Sequence, residues 1–325
     1  MKKLETFLVA AGLGLFAFVA SKIGWSNILH ELRTVWVALP ILVGLSIVRL
    51  LLQTQSWKMA LDEEGIGTGF AELIGIRLAS QSMGYLSVLG PAISEPMKIK
   101  LLGNNWKKST TATVVDSGVY WFSSSLIGIV GCIAAAIVLA HTQYGKTLLG
   151  IVLTFVVGAA LLLRKKPLLS SLVDLAGRRA PGWLKKGAEL EAQIRTFRER
   201  HPAALHAMMY MDLACQALLI AEAAMVIFSA KLPVHILTVL GIEAAVRITK
   251  MTTGWIPARV GADEGGAAAA FVAFGFSPAA GLLLALARRS RDLLWCALGL
   301  GWLAWKSHQM RKEKILAEDC LTCRS

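Results

Sequence analysis

The chain has 325 residues, of which 55% are hydrophobic and only 17% charged, and its formal net charge is +13. A soluble domain carries roughly 25% charged residues, and the apolar residues here come in blocks long enough to cross a hydrocarbon layer of about 30 Å. A soluble enzyme and a secreted disulfide scaffold are thereby excluded, and the length allows about six to eight membrane-embedded segments. The basic residues are clustered without interleaved aromatics, so they report membrane topology rather than nucleic-acid binding.

Met1-Lys2-Lys3 leads into an apolar run at 4–21, expected to be an uncleaved first span. An amphipathic piece at 24–34 carries Trp25, an interface anchor. The second span is expected at 35–55 and contains Arg49, a cation that either snorkels to the inner interface or meets a ligand. Asp62-Glu63-Glu64-Gly65 ends that unit.

Residues 70–105 are semi-polar, with Glu72, Arg77, Ser80, Gln81 and Ser82, and reach Gly90-Pro91 and Glu95-Pro96. Proline disfavours helix in the residue before it. A broken helical hairpin that enters the membrane and turns back is therefore expected, because irregular backbone at that depth needs protein or a wet cavity around it. A third span follows at 109–140 with Asp116, and a fourth at 147–163.

The stretch 164–202 holds ten Lys/Arg against four Asp/Glu, with leucines at roughly helical spacing. Such a helix suits the anionic cytoplasmic leaflet and its lipid headgroups. The fifth span is expected at 203–230, with Asp212 and Glu222. Residues 233–276 repeat the earlier pattern: Glu243, Arg247 and Lys250 precede a break at Gly254-Trp255-Ile256-Pro257, and Asp263 and Glu264 follow it. The sixth span is expected at 279–305 with Arg288, Arg289, Arg291 and Asp292, before a charged tail.

Cys132, Cys215 and Cys296 lie in apolar blocks, and Cys320 and Cys323 form a lone C-x-x-C. A zinc site needs about four ligands, so neither metal nor cofactor is expected. With the N-terminus inside, inner segments hold twenty basic residues and outer loops four, which puts both termini in the cytoplasm of an inner-membrane protein.

The fold class expected is an all-α polytopic membrane protein of about six full spans plus two broken re-entrant hairpins. The two hairpin units have opposite orientation, and 169 residues separate Glu95 from Glu264 as well as Ser109 from Pro278. This predicts an inverted repeat, with 35–140 and 203–306 as its halves in a single membrane domain 1–325. Such repeats place a transport site near the midplane at their interface.

A charge at a helix centre costs about 2.5–3.5 kcal/mol on insertion scales, so the intramembrane charges need a wet interior or one another. Glu72 with Arg77, and Glu243 with Arg247, are near one-turn spacing, where self-neutralising pairs and a functional role are equally open. Glu95 and Glu264 sit beside Pro/Gly breaks, where a carboxylate accepts backbone N–H bonds, holds a cation or exchanges a proton. Lys98 and Arg259, about one turn away, are placed to hold an anionic lipid headgroup. Arg288, Arg289 and Arg291 occupy different faces of the last span, so at least one is expected to face the interior. Asp116, Asp212, Glu222 and Asp292 are expected to be hydrogen-bonded structural acids. No nucleophile elbow, H-E-x-x-H, Walker loop or dinucleotide fingerprint occurs.

At the two hairpins the chain resembles the flippase-like membrane domain of lysylphosphatidylglycerol synthases. The family's first motif, a Pro/Gly-rich turn followed by Gly-Glu and a basic residue three positions on, reads here Gly90-Pro91-Ala92-Ile93-Ser94-Glu95-Pro96-Met97-Lys98, with Ser94 for Gly and Lys98 for Arg. The second, Pro-rich then Gly-x-x-Glu, reads Ile256-Pro257-Ala258-Arg259-Val260-Gly261-Ala262-Asp263-Glu264, with Pro-Ala-Arg for Pro-Gly-Gly. An Arg in the following span fits Arg288 or Arg289. The resemblance implies lipid translocation between leaflets. It does not imply lysine transfer, since the aminoacyl-transferase domain is not in the sequence. The chain is also similar to a stand-alone branch found with hopanoid biosynthesis, which implies a phospholipid or hopanoid-type substrate. Two alternatives remain open: a membrane enzyme of lipid or polyprenyl-glycan metabolism using intramembrane carboxylates, and a scaffold for a lipid-synthesis complex. A homo-oligomer is compatible with each.

Overall fold

The computed structural model describes residues 39–87, 90–103, 106–140, 150, 182–254, 256 and 259–322. The expected first span at 4–21, the amphipathic piece at 24–34, the fourth span at 147–163, residues 164–181 of the basic stretch, and Cys323 lie outside the described residues. Among the described residues there are nine helices and no strand.

The first four are α1 (Leu39–Glu63), α2 (Phe70–Leu86), α3 (Pro91–Leu102) and α4 (Trp106–Val138). Then come α5 (Gly182–Arg200), α6 (Pro202–Ser229), α7 (Ile236–Thr252), α8 (Ala262–Ala273) and α9 (Pro278–Thr322). Prolines open α3, α6 and α9, where a missing N–H costs nothing. Gly103 closes α3 in the left-handed conformation at φ 65°.

Among the described residues, α4 and α6 are long and apolar enough to cross a membrane. The 17 residues of α2 and of α7 reach only about 25 Å, and the 12 of α3 and of α8 about 18 Å, at 1.5 Å per residue. Both expected interruptions exist: helix stops at Leu86 and resumes at Pro91, and it stops at Thr252 and resumes at Ala262. The last helix differs from its expected span: α9 does not end near residue 305 but runs 45 residues, to Thr322.

Packing crosses between the two parts of the chain. Helix α2 lies against α9, α7 against α4, and α1 against α6. The approaches are close because glycines line them. A Cβ on Gly131 of α4 would fall 2.5 Å from the Leu240 carbonyl oxygen, and a Cβ on Gly299 of α9 would collide with the Leu78 carbonyl. Small residues at such crossings are how helices associate without a hydrophobic driving force between them.

Two apolar clusters fill the bundle. One joins Leu42, Val226, Ile227, Ile242, Phe271 and Leu283; the other joins Trp57, Leu61, Leu73, Ile76, Val115, Phe197 and Met208. Helices α1 and α6 pass from one cluster to the other. Between Leu42 and Trp57, α1 carries Arg49 and Gln53; between Met208 and Val226, α6 carries Leu219 and Glu222. Arg49 thus sits midway along the stretch of α1 between Leu42 and Trp57, about 10–12 Å from each at 1.5 Å per residue, while Glu222 lies beside Ala223 of the first cluster.

The amphipathic α5 packs on α4, burying Phe197 and joining Thr111 Oγ1 to Gln193 Oε1 at 3.1 Å. Cys132, Cys215 and Cys296 are buried free thiols, as their apolar surroundings in the sequence lead one to expect.

Candidate functional site

A cavity of about 770 Å³ opens between the two clusters, within the roughly 300–1,000 Å³ range of ligand sites. Its wall carries seven cations, Arg49, Arg77, Lys98, Arg247, Lys250, Arg259 and Arg291, and four carboxylates, Glu95, Asp116, Glu243 and Asp292. Tyr85, Tyr120, Trp121 and Trp295 supply aromatic surface.

Each helix contributes through its local sequence. Pro96, inside α3, has no N–H to return to the Ala92 carbonyl, and Ala92 is in the cavity wall. One turn on, Lys98 is 3% exposed and reaches back to both Glu95 oxygens at 2.9 and 3.0 Å. Its ammonium also lies 5.7 Å from the Trp57 ring centroid, at cation–π range. Glu95 Oε2 accepts a third bond, from Ser117 of α4 at 2.9 Å.

Arg77 of α2 is held by Asp116 of α4 at 3.4 Å and donates to the Gln53 carbonyl of α1. Arg247 of α7 meets Glu243 at 3.3 Å, one turn back, and donates to Ser124 Oγ at 2.8 Å. Arg291 meets Glu222 at 2.5 Å and Asp292 at 2.9 Å. Arg288, just outside the wall, bridges Glu243 at 2.8 Å and Glu222 at 3.6 Å and donates to the Leu219 carbonyl at 3.1 Å. Burial this complete is tolerable only with partners of this kind.

The two helix breaks meet beside the cavity. A Cβ on Gly90 would lie 3.5 Å from the Gly254 carbonyl oxygen, and the Arg259 guanidinium lies 6.0 Å from the Tyr85 ring centroid. Arg259 has a positive φ of 47°, a conformation that costs a residue with a Cβ about 1 kcal/mol. It stands where the resembling motif has glycine. Its ion pair to Asp263 at 3.2 Å and its stacking on Tyr85 offset that strain.

Of the residues singled out in the sequence, Glu95, Lys98, Arg77, Glu243, Arg247 and Arg259 line the cavity. Glu243 and Arg247 form the local pair their spacing allows. Of the arginine trio, Arg291 lines this cavity and Arg288 is buried behind it. Four others do not line it. Glu72 does not pair with Arg77: it sits at the exposed start of α2 and meets Lys306 at 2.8 Å. A five-residue offset puts two side chains about 140° apart around a helix, which explains the miss. Glu264 is fully buried, accepts the Gly261 N–H at 2.8 Å and pairs with Arg289 at 2.8 Å. It therefore caps α8. Asp263 and Arg288 lie behind the wall as partners of its residues. Sequence reading missed Lys250 and the aromatic lining and left Arg49 undecided. Lys250 lies one turn after Arg247 on the same face of α7, a spacing that could have found it; Arg49 and the aromatics carry no such mark, since they reach the cavity through packing of distant helices.

A family model matches the sequence of this chain. The model of the lysylphosphatidylglycerol synthase TM region covers residues 6–301. The chain belongs to this family. It is accordingly a membrane protein. No curated protein and no solved structure matches it.

Proposed function

We propose that the protein moves a lipid, of phospholipid or hopanoid type, between the leaflets of a bacterial inner membrane. One observation carries this reading: a 770 Å³ charged cavity lies midway along helices whose two ends are apolar. Charge placed there costs several kcal/mol in hydrocarbon, so it is retained where a polar headgroup must pass.

The family membership supports a lipid role. The exchange of packing, α2 on α9 and α7 on α4, supports two inverted halves at 35–140 and 203–306, each with a re-entrant hairpin. Half-exposed Trp121 and Met251 border the cavity. In this reading they stand where acyl chains stay in lipid while the headgroup enters the cavity. Both termini face the cytoplasm in this reading, and the basic stretch 164–202 rests on anionic headgroups.

The test is reconstitution of the purified chain into vesicles carrying fluorescent phospholipid, with outer-leaflet label quenched by dithionite. Exchange at least tenfold faster than in empty vesicles is expected, and Glu95→Gln abolishes most of it. Wild-type vesicles no faster than empty ones contradict the proposal. A chemically altered lipid in place of a relocated one points to the enzyme reading.

A further inference from the structure

The ion pairs around the cavity balance one another. Arg77, Lys98, Arg247, Arg259, Arg288 and Arg291 are each paired, and the acids they hold are also six: Asp116, Glu95, Glu243, Asp263, Glu222 and Asp292. Arg49 and Lys250 stand outside this balance. Both line the cavity. Among the described residues neither side chain has a hydrogen bond or an ion pair. They come from α1 and α7, on different sides of the wall, and both have Asp292 as an electrostatic neighbour. Asp292 is itself held by Arg291.

Unpaired cations inside a membrane protein are costly and are retained for a ligand that completes them.

We infer that Arg49 and Lys250 are the two arms of a binding site for a phosphate dianion, the group that ends a phosphomonoester or diphosphate lipid. This rests on the transport reading above and names its substrate class. Arg49 and Lys250 together carry two positive charges that the ion pairs leave over. A terminal phosphate carries about −1.5 to −2 near neutrality, whereas a phosphodiester headgroup carries one negative charge and a zwitterionic one none. A phosphate has oxygens enough to accept from both cations, in the charge-assisted geometry arginine suits best. An aminoacylated, net cationic headgroup is the wrong sign for this wall.

The test uses the full chain in neutral detergent at pH 8, titrated by calorimetry with dihexanoyl phosphatidic acid, dihexanoyl phosphatidylglycerol, dihexanoyl phosphatidylcholine and inorganic phosphate. Phosphatidic acid is expected to bind at least tenfold more tightly than phosphatidylglycerol, and phosphatidylcholine not to bind. Arg49→Gln and Lys250→Gln each lower phosphatidic acid affinity about tenfold, while Arg49→Lys and Lys250→Arg retain it within threefold. The glutamine variants without ligand melt at or above the wild-type temperature, because an unpaired, half-buried cation has been removed. A purely structural role predicts the opposite shift.

Equal affinity for phosphatidic acid and phosphatidylglycerol overturns the inference, as does wild-type affinity in both glutamine variants. Inorganic phosphate binding as tightly as the lipid upholds the phosphate site and assigns it to a soluble ion; binding of the lipid alone assigns it to a headgroup. A protein that exchanges lipid but prefers the phosphodiester loses this substrate class and keeps transport. One that binds phosphatidic acid without exchanging lipid keeps the site and loses transport.

Discussion

The buried charge cluster makes its sharpest prediction at Glu243 and Arg288. Their closest atoms are 2.8 Å apart, and the two side chains are 4% and 6% exposed. At an effective dielectric constant near 20, two unit charges at that distance attract by about 6 kcal/mol. Each has a second partner: Glu243 keeps Arg247 at 3.3 Å, and Arg288 keeps Glu222 at 3.6 Å. Removing one charge therefore leaves the other only partly uncompensated. Glu243→Gln and Arg288→Gln are each expected to cost about 3 kcal/mol, the lower end for a broken buried pair. The double variant should cost less than the sum, with a coupling of about 2 kcal/mol. Equilibrium unfolding in mixed micelles, titrated with sodium dodecyl sulfate, measures all three. Two single costs below about 0.5 kcal/mol that simply add would refute the claim that this pair is an energetic centre of the bundle.

The other predictions concern packing, the surface and the second break. Gly131→Ala places a methyl 2.5 Å from the Leu240 oxygen and 2.8 Å from the Ala244 Cβ, so it should destabilise by about 1–3 kcal/mol. Gly118→Ala, with nothing within 4 Å, is the uncrowded control in the same unfolding assay and should be unchanged or more stable by up to about 1 kcal/mol. Glu72→Gln removes an exposed pair whose side chains are 35% and 43% accessible; stability should move by less than about 0.5 kcal/mol, and leaflet exchange should be unchanged. At Arg259, glycine removes the left-handed strain while losing the Asp263 pair, whereas alanine loses the pair and keeps the strain. Melting temperatures should therefore rank Arg259→Gly above Arg259→Ala, and the reverse order refutes the strain argument.

What the sequence made legible was local. Prolines and glycines marked both helix breaks because their backbone limits act on neighbouring residues. Glu243 and Arg247 could be paired on paper because four residues make about one turn. The long-range pairs were not legible: Arg77 with Asp116, Glu264 with Arg289, and Arg288 with Glu222 are fixed by which helices pack together. Glu95 and Glu264 show the limit. They occupy matching places beside the two breaks, yet Glu95 faces the cavity with a side chain 34% accessible, while Glu264 is sealed under Arg289. Motif position fixed their distance from the break, and packing decided which one meets the cavity. Arg49 carries no local mark at all, since a lone cation in an apolar helix reads the same whether it faces lipid or a cavity.

A hydrated chamber inside the bilayer can be probed by labelling. In a chain whose five cysteines have been replaced, Ala92→Cys places a thiol on the exposed part of the cavity wall, and Val130→Cys places one on the apolar outer face of α4. A membrane-impermeant maleimide applied to proteoliposomes should modify the first at least tenfold faster than the second. Equal, slow labelling at both positions would mean that water does not reach the cavity, and the transport account would fall with it.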